Sequence, residues 1–186
     1  MIPDLSAWSN FYVMVGSAAA GLTGLMFVVI ALISQIERAQ SSEEGLAAFG
    51  TPTVLHFCAA LLVAAILSAP WRSLLPIVIL VAIAGAFGMG YIARAIHRTT
   101  RLTEYRPDLS DWISYHFVPL IAYAAIFAGA IVLLSASRTA LFFIAAGAVA
   151  LIFVGIRNAW DTVTYLAVIN VNHSNGEPES LDNRDI

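Results

Sequence analysis

Residues 140–169 read ALFFIAAGAVALIFVGIRNAWDTVTYLAVI, an apolar run long enough to cross a bilayer that passes without a break into Arg157, Asn158, Trp160, Asp161 and Thr162. At 100° per residue, a helix here sets Arg157, Asn158, Asp161, Thr164 and Tyr165 on one arc, which Ala146, Gly147 and Ala150 continue upstream. Small side chains let helices approach closely, and a charge beside hydrocarbon needs a partner. The arc is therefore expected to face protein rather than lipid, with Arg157 and Asp161 either a mutually supporting pair against other helices or an interfacial salt bridge beside Trp160. At about 1.5 Å per residue the stretch measures about 45 Å, against a hydrocarbon core of about 30 Å. Arg157 is thus placed near the membrane boundary, and the remainder of the helix either protrudes into water or breaks at Gly155 to lie on the surface.

The rest of the chain has the same character. It is 60% hydrophobic and 11% charged, with a mean hydropathy of +0.83, where soluble proteins average about 25% charged residues. That excludes an ordinary soluble domain and leaves the bilayer as the solvent. The lone Cys58 cannot close an internal disulfide, and no CxxC or Cys/His cluster points to zinc. No glycine-rich phosphate loop, HExxH or nucleophile elbow is present, so no enzyme, cofactor or metal is expected. Acids are interleaved with the basic residues between Arg94 and Asp111, which argues against a nucleic-acid surface.

Hydrophobic runs and breakers predict an all-α polytopic bundle of five transmembrane helices. They form one domain over 1–172, at about 8–34, 52–69, 73–93, 112–135 and 139–169, with the last helix extending into the cytoplasm and a disordered acidic tail over 173–186. Residues 1–10 carry Asp4 and no Lys or Arg, unlike a signal peptide, so the first segment is expected to be retained. In it Gly16, Ser17, Ala20, Gly21 and Gly24 share an arc of roughly 140°, which predicts close helix contact either within the bundle or between copies. Ala86 and Gly90 in the third helix, and Gly147 in the fifth, are read in the same way. Thr51-Pro52 is expected to open the second helix. Pro119 removes the donor for the Tyr115 carbonyl and is expected to bend the fourth.

Arginines set the expected orientation. The linker between the third and fourth helices carries Arg94, Arg98, Arg101 and Arg106, and Arg38, Arg157 and Arg184 fall on the same side, whereas Arg72 and Arg138 fall on the other. The positive-inside rule then places the N-terminus outside and the C-terminus in the cytoplasm. His56 and His116 each lie about four residues into a helix that starts on the cytoplasmic side. They are expected to share a depth, near the layer of Arg157, Asn158 and Asp161. Imidazoles so placed suit proton or ion handling, or more distantly haem or metal ligation; the plainer reading is a set of interfacial side chains bonding to backbone and headgroups.

Residues 8–29, read WSNFYVMVGSAAAGLTGLMFVV, resemble the opening helix of a widespread group of small bacterial inner-membrane proteins of unknown role, and Arg157-Asn158-Ala159-Trp160-Asp161 is similar to a block in that group. The resemblance implies a bacterial inner-membrane location and no activity. Two functions from different classes are consistent with the residues. One is a homo-oligomeric channel or transporter for a small solute or ion. The other is a membrane scaffold or regulatory subunit that binds another membrane protein through its first helix. In either case the lipid bilayer is the first partner.

Overall fold

Long apolar runs in hydrocarbon leave the backbone no hydrogen-bond partner but itself, and an α-helix satisfies every N–H and C=O within one segment. The computed structural model describes residues 3–38, 44–99 and 112–174. Among these residues all regular structure is helical: α1 (Pro3–Arg38), α2 (Glu44–Ser68), α3 (Leu75–Thr99), a π-helical turn (Ile113–Phe117) that opens α4 (Val118–Val132), and α5 (Ser137–Ser174). Four of them are long and apolar enough to cross a membrane, over Leu5–Ala31, Leu75–Arg98, Ile113–Val132 and Ser137–Thr164. The apolar part of α2, Pro52–Ser68, is 17 residues, or about 25 Å, short of the roughly 30 Å hydrocarbon core.

Helix ends depart from the sequence expectation where polarity was taken as a stop. α1 begins at Pro3, proline being suited to a first helical turn, and runs past 34 to Arg38. α2 starts at Glu44, so Pro52 lies inside it rather than at its head. The Ala48 carbonyl that loses its N–H partner there lies ahead of the apolar stretch, where water can take the donor's place. α3 starts at Leu75 with Pro76 in its first turn, a signal present in the sequence, and it continues beyond 93 through Arg94 and Arg98. α5 runs unbroken through Gly155 to Ser174, which removes the expected surface break. The polar tail expected beyond it, and the arginine-rich linker over 100–111, lie outside the described residues.

Pro119 does more than bend its helix. The Val118 N–H bonds to the Ile113 carbonyl, five residues back, and the turn over Ile113–Phe117 is π-helical. Widening by one residue just before the proline accommodates a ring that clashes with a normal α-turn. It also sets His116 inside the bundle, since Ser114 and His116 are the buried residues of that turn.

Close approaches at glycine show how the helices are arranged. α5 runs between α4, α2 and α1. A Cβ at Gly129 would lie 2.6 Å from Ile144, and one at Gly147 would lie 2.6 Å from the Ala122 carbonyl, so α4 and α5 pack antiparallel almost backbone to backbone. A Cβ at Gly155 would meet the Phe57 ring at 2.5 Å, which seats α2 on the other side of α5. α1 docks on α2 where Gly16 faces Ala64, and on α5 where the Tyr12 hydroxyl donates to the Leu141 carbonyl at 3.2 Å. Trp8 adds an edge-on contact with Phe142 at 4.7 Å. α3 packs on the far side of α4, with Gly85 against Phe127 and Gly88 against the ring of Tyr123. The core between them is apolar and fully buried, with Val63, Ile77, Ile126, Leu133, Leu141, Ile144 and Leu151 at its centre. Dispersion at such short separations is the main attraction open to helices in lipid.

This packing separates two glycines of α3 that look alike in sequence. A Cβ at Gly88 would stand 2.1 Å from Tyr123, whereas Gly90 has nothing within 4 Å. Gly88→Ala is therefore expected to cost about 1–3 kcal/mol through overpacking, and Gly90→Ala to be neutral or slightly stabilising through helix propensity. Unfolding in a denaturing-detergent titration measures both; equal effects would contradict the packing of α3 on Tyr123.

Candidate functional site

A polar group inside an apolar bundle needs a partner, and among the described residues five polar side chains lie inside this one, Ser114 of the π-turn being one of them. His56 and Thr53 on α2 and Asn158 on α5 are 0% exposed, and His116 in the π-turn is 7% exposed. His56 Nδ1 lies 3.0 Å from the Tyr123 hydroxyl of α4, whose ring is tilted 54° to the imidazole at 5.7 Å. Gly88 makes room for that ring from behind, so a glycine of α3 fixes the phenol that meets the histidine of α2. His116 instead lies against Trp112, ring centres 4.7 Å apart. Among the described residues no three His, Cys, Asp or Glu side chains gather where they could hold a metal ion.

Asn158 lies on α5 at a similar level to His56. Gly155 contacts Phe57, and α2 and α5 run in opposite directions. One turn beyond Gly155, about 5 Å further along the axis, Asn158 therefore stands level with the turn of α2 between Thr53 and His56. The Asn158 side-chain amide has neither donor nor acceptor satisfied, and His56 Nε2 likewise has no hydrogen-bond partner. When the Tyr123 hydroxyl donates to Nδ1, the neutral imidazole carries its proton on Nε2. The cluster then offers an N–H donor, an amide carbonyl and an amide NH₂, all enclosed.

Of the residues singled out in sequence, the structure buries His56, His116 and Asn158 and leaves the charges outside. Arg157 Nε lies 3.7 Å from Asp161 Oδ2, with the side chains 49% and 41% exposed. The expectation that this pair faces other helices is corrected. The buried face of α5 is centred on Leu151 and Asn158, and Arg157 is turned about 100° from it. The small-residue positions divide as well. Gly16 and Gly147 make internal contacts, while Ala20, Gly21, Gly24, Ala86 and Gly90 are exposed, with nothing within 4 Å of a Cβ at Gly21, Gly24 or Gly90. Ala146 and Ala150 line a shallow apolar groove of about 260 Å³ between α4 and α5.

Sequence reasoning missed Tyr123 and Thr53. A signal for Tyr123 existed: a lone hydroxyl in the Ala-rich run from Val118 to Val132, two turns beyond His116, needs a partner when buried. Nothing in the spacing indicated that the partner would be His56. Comparison with protein-family models, curated proteins and solved structures gave no match.

The exposed geometry of the α5 charges gives a direct test. An exposed i,i+4 pair is worth about 0.3–0.5 kcal/mol, whereas stranding one member of a buried pair costs about 3–5 kcal/mol. Arg157→Ala and Asp161→Ala are each expected to unfold within about 0.5 kcal/mol of the parent protein. A loss of several kcal/mol in either single variant, relieved in the double, would contradict the exposed geometry.

Proposed function

We propose that the chain is a homo-oligomeric channel or transporter for a small solute or ion in a bacterial inner membrane. In this reading α2 is a fifth, short crossing, the N-terminus lies outside and the C-terminus is cytoplasmic. The location rests on the resemblance of residues 8–29, and the orientation on the arginine bias. The observation that carries the transport reading is the enclosed junction of His56, Tyr123 and Asn158. Uncommitted hydrogen-bonding groups inside a membrane bundle are costly, and a solute that uses them explains why they are there. The core between this junction and the opposite end of the bundle is filled by residues such as Val63, Ile126 and Leu141, so a solute would reach the polar groups by the shorter way, from the end that carries Pro52. Oligomerisation is inferred from α1, whose outward face sets Ser17, Ala20, Gly21 and Gly24 beside Asn10, all exposed. Small and polar residues on one lipid-facing arc are what a helix contact between copies uses.

The same arc favours the second reading, a scaffold that docks another membrane protein on α1. Flux and assembly measured together decide between them. In proteoliposomes the transport reading expects flux of at least one of K⁺, Na⁺, Cl⁻, glycerol or acetamide above empty vesicles, lost in His56→Ala. It also expects Gly21→Leu or Gly24→Leu to convert the oligomer to monomer by native mass spectrometry, with Val28→Leu unchanged. A protein silent to every solute, and monomeric until a second membrane protein is captured through α1, would overturn it for the scaffold.

A further inference from the structure

We propose that the junction of α2, α4 and α5 is a binding site for a small uncharged solute carrying both a hydrogen-bond donor and an acceptor, a primary amide being its simplest form. This deepens the transport reading by naming the substrate class, and rests on that reading only for what the site is used for.

Three observations set the chemistry. The first is the kind of group left open. Asn158 presents a carbonyl oxygen and an NH₂ side by side, both fully enclosed and unpartnered, and His56 Nε2 is enclosed and unpartnered as well. A planar carboxamide matches a second carboxamide by two antiparallel N–H···O bonds, leaving one further lone pair of the guest's oxygen for an imidazole N–H. The second is the anchored position of the imidazole. The Tyr123 hydroxyl at 3.0 Å holds Nδ1, and the Tyr123 ring is itself wedged by Gly88, so His56 cannot swing to find another partner.

The third is the absence of countercharge. Among the described side chains the single carboxylate is Asp161, exposed and beside Arg157. Arg94 and Arg98 of α3 are exposed too, and Arg72 and Arg138 belong to the opposite end of the bundle. Among the described residues no charged side chain is buried, so a cation in the junction meets no enclosed carboxylate and an anion no enclosed guanidinium. Either would leave its hydration shell for neutral dipoles alone, at a desolvation cost much larger than that of an amide. The site is shallow along the membrane axis: His56 lies four residues, about 6 Å, inside the apolar stretch that begins at Pro52. A solute therefore crosses little hydrocarbon to reach it.

Acetamide, acetate and acetamidinium have one shape and three charges at neutral pH, and they test the inference directly. The full chain in lipid nanodiscs, labelled with ¹⁵N-histidine, reports on Nε2 of His56, assigned by its loss in His56→Gln. Acetamide is expected to shift that resonance saturably, with acetate and acetamidinium inert, and Asn158→Leu to weaken the response at least tenfold. Asn158→Asp keeps the shape and adds a charge, so it is expected to switch the preference to acetamidinium even if the leucine variant folds poorly. A response to either ion in the parent protein, or none to acetamide, overturns the assignment. Flux of the same probes into proteoliposomes separates the two readings. Binding without flux keeps the site and removes transport; His56-dependent ion flux without acetamide binding keeps transport and removes this site.

Discussion

One hydrogen bond ties α2 to α4 at the bundle's polar end, between the Tyr123 hydroxyl and His56 Nδ1. Water competes for hydrogen bonds in a soluble core, so a single bond there has a small net value. In a membrane bundle the alternative to the partner is an unsatisfied group in hydrocarbon, and the bond favours the packing that keeps both groups inside. Tyr123 is buried because it has somewhere to put its hydroxyl. His56 is held in one orientation because Tyr123 is buried beside its Nδ1. The remaining polarity, His56 Nε2 and the Asn158 amide, is left without a hydrogen-bond partner by that arrangement.

Glycines supply the geometry that this bond requires. Gly88 admits the Tyr123 ring from α3, Gly155 admits Phe57 and so brings α2 up to α5, and Gly147 brings α5 to within van der Waals contact of the Ala122 carbonyl. Packing and polarity are thus one arrangement: the helices come close enough for a phenol of α4 to reach an imidazole of α2 because three other positions have no side chain to hold them apart. The glycines left open, Gly21, Gly24 and Gly90, take no part in it.

Much of this was legible in the sequence, and the parts that were not share a cause. The all-helical class followed from apolar runs with no alternative way to satisfy a backbone in lipid. The inward place of Asn158 followed from the small residues that continue its arc, whereas for His56 and His116 the sequence indicated a shared depth and not their burial. The disruption at Pro119 followed from its missing N–H, although the structure meets it with a π-turn. What failed was the choice between neighbouring faces. On α5, Arg157, Asn158 and Asp161 fall within about 100° of one another. Their periodicity marks an arc, yet only the position of Phe57 against Gly155 determines that Asn158 points inward and the charges outward. Helix ends failed for a related reason. A helix already propagated by apolar packing continues through polar residues, as α1, α3 and α5 do, because stopping it gains nothing at a wet interface.

The measurement that bears most directly on this account is the coupling between His56 and Tyr123 in a double-mutant cycle. His56→Ala, Tyr123→Phe and the double variant would be unfolded in bicelles by a denaturing detergent. Interhelical hydrogen bonds in membrane proteins average about 0.6 kcal/mol and reach about 1.7 kcal/mol. A bond that fixes the junction is expected in the upper part of that range, with each single variant destabilised and the double little worse than either. Strictly additive losses would mean that the two side chains do not act as a pair, and the polar junction would lose the interaction that holds it together.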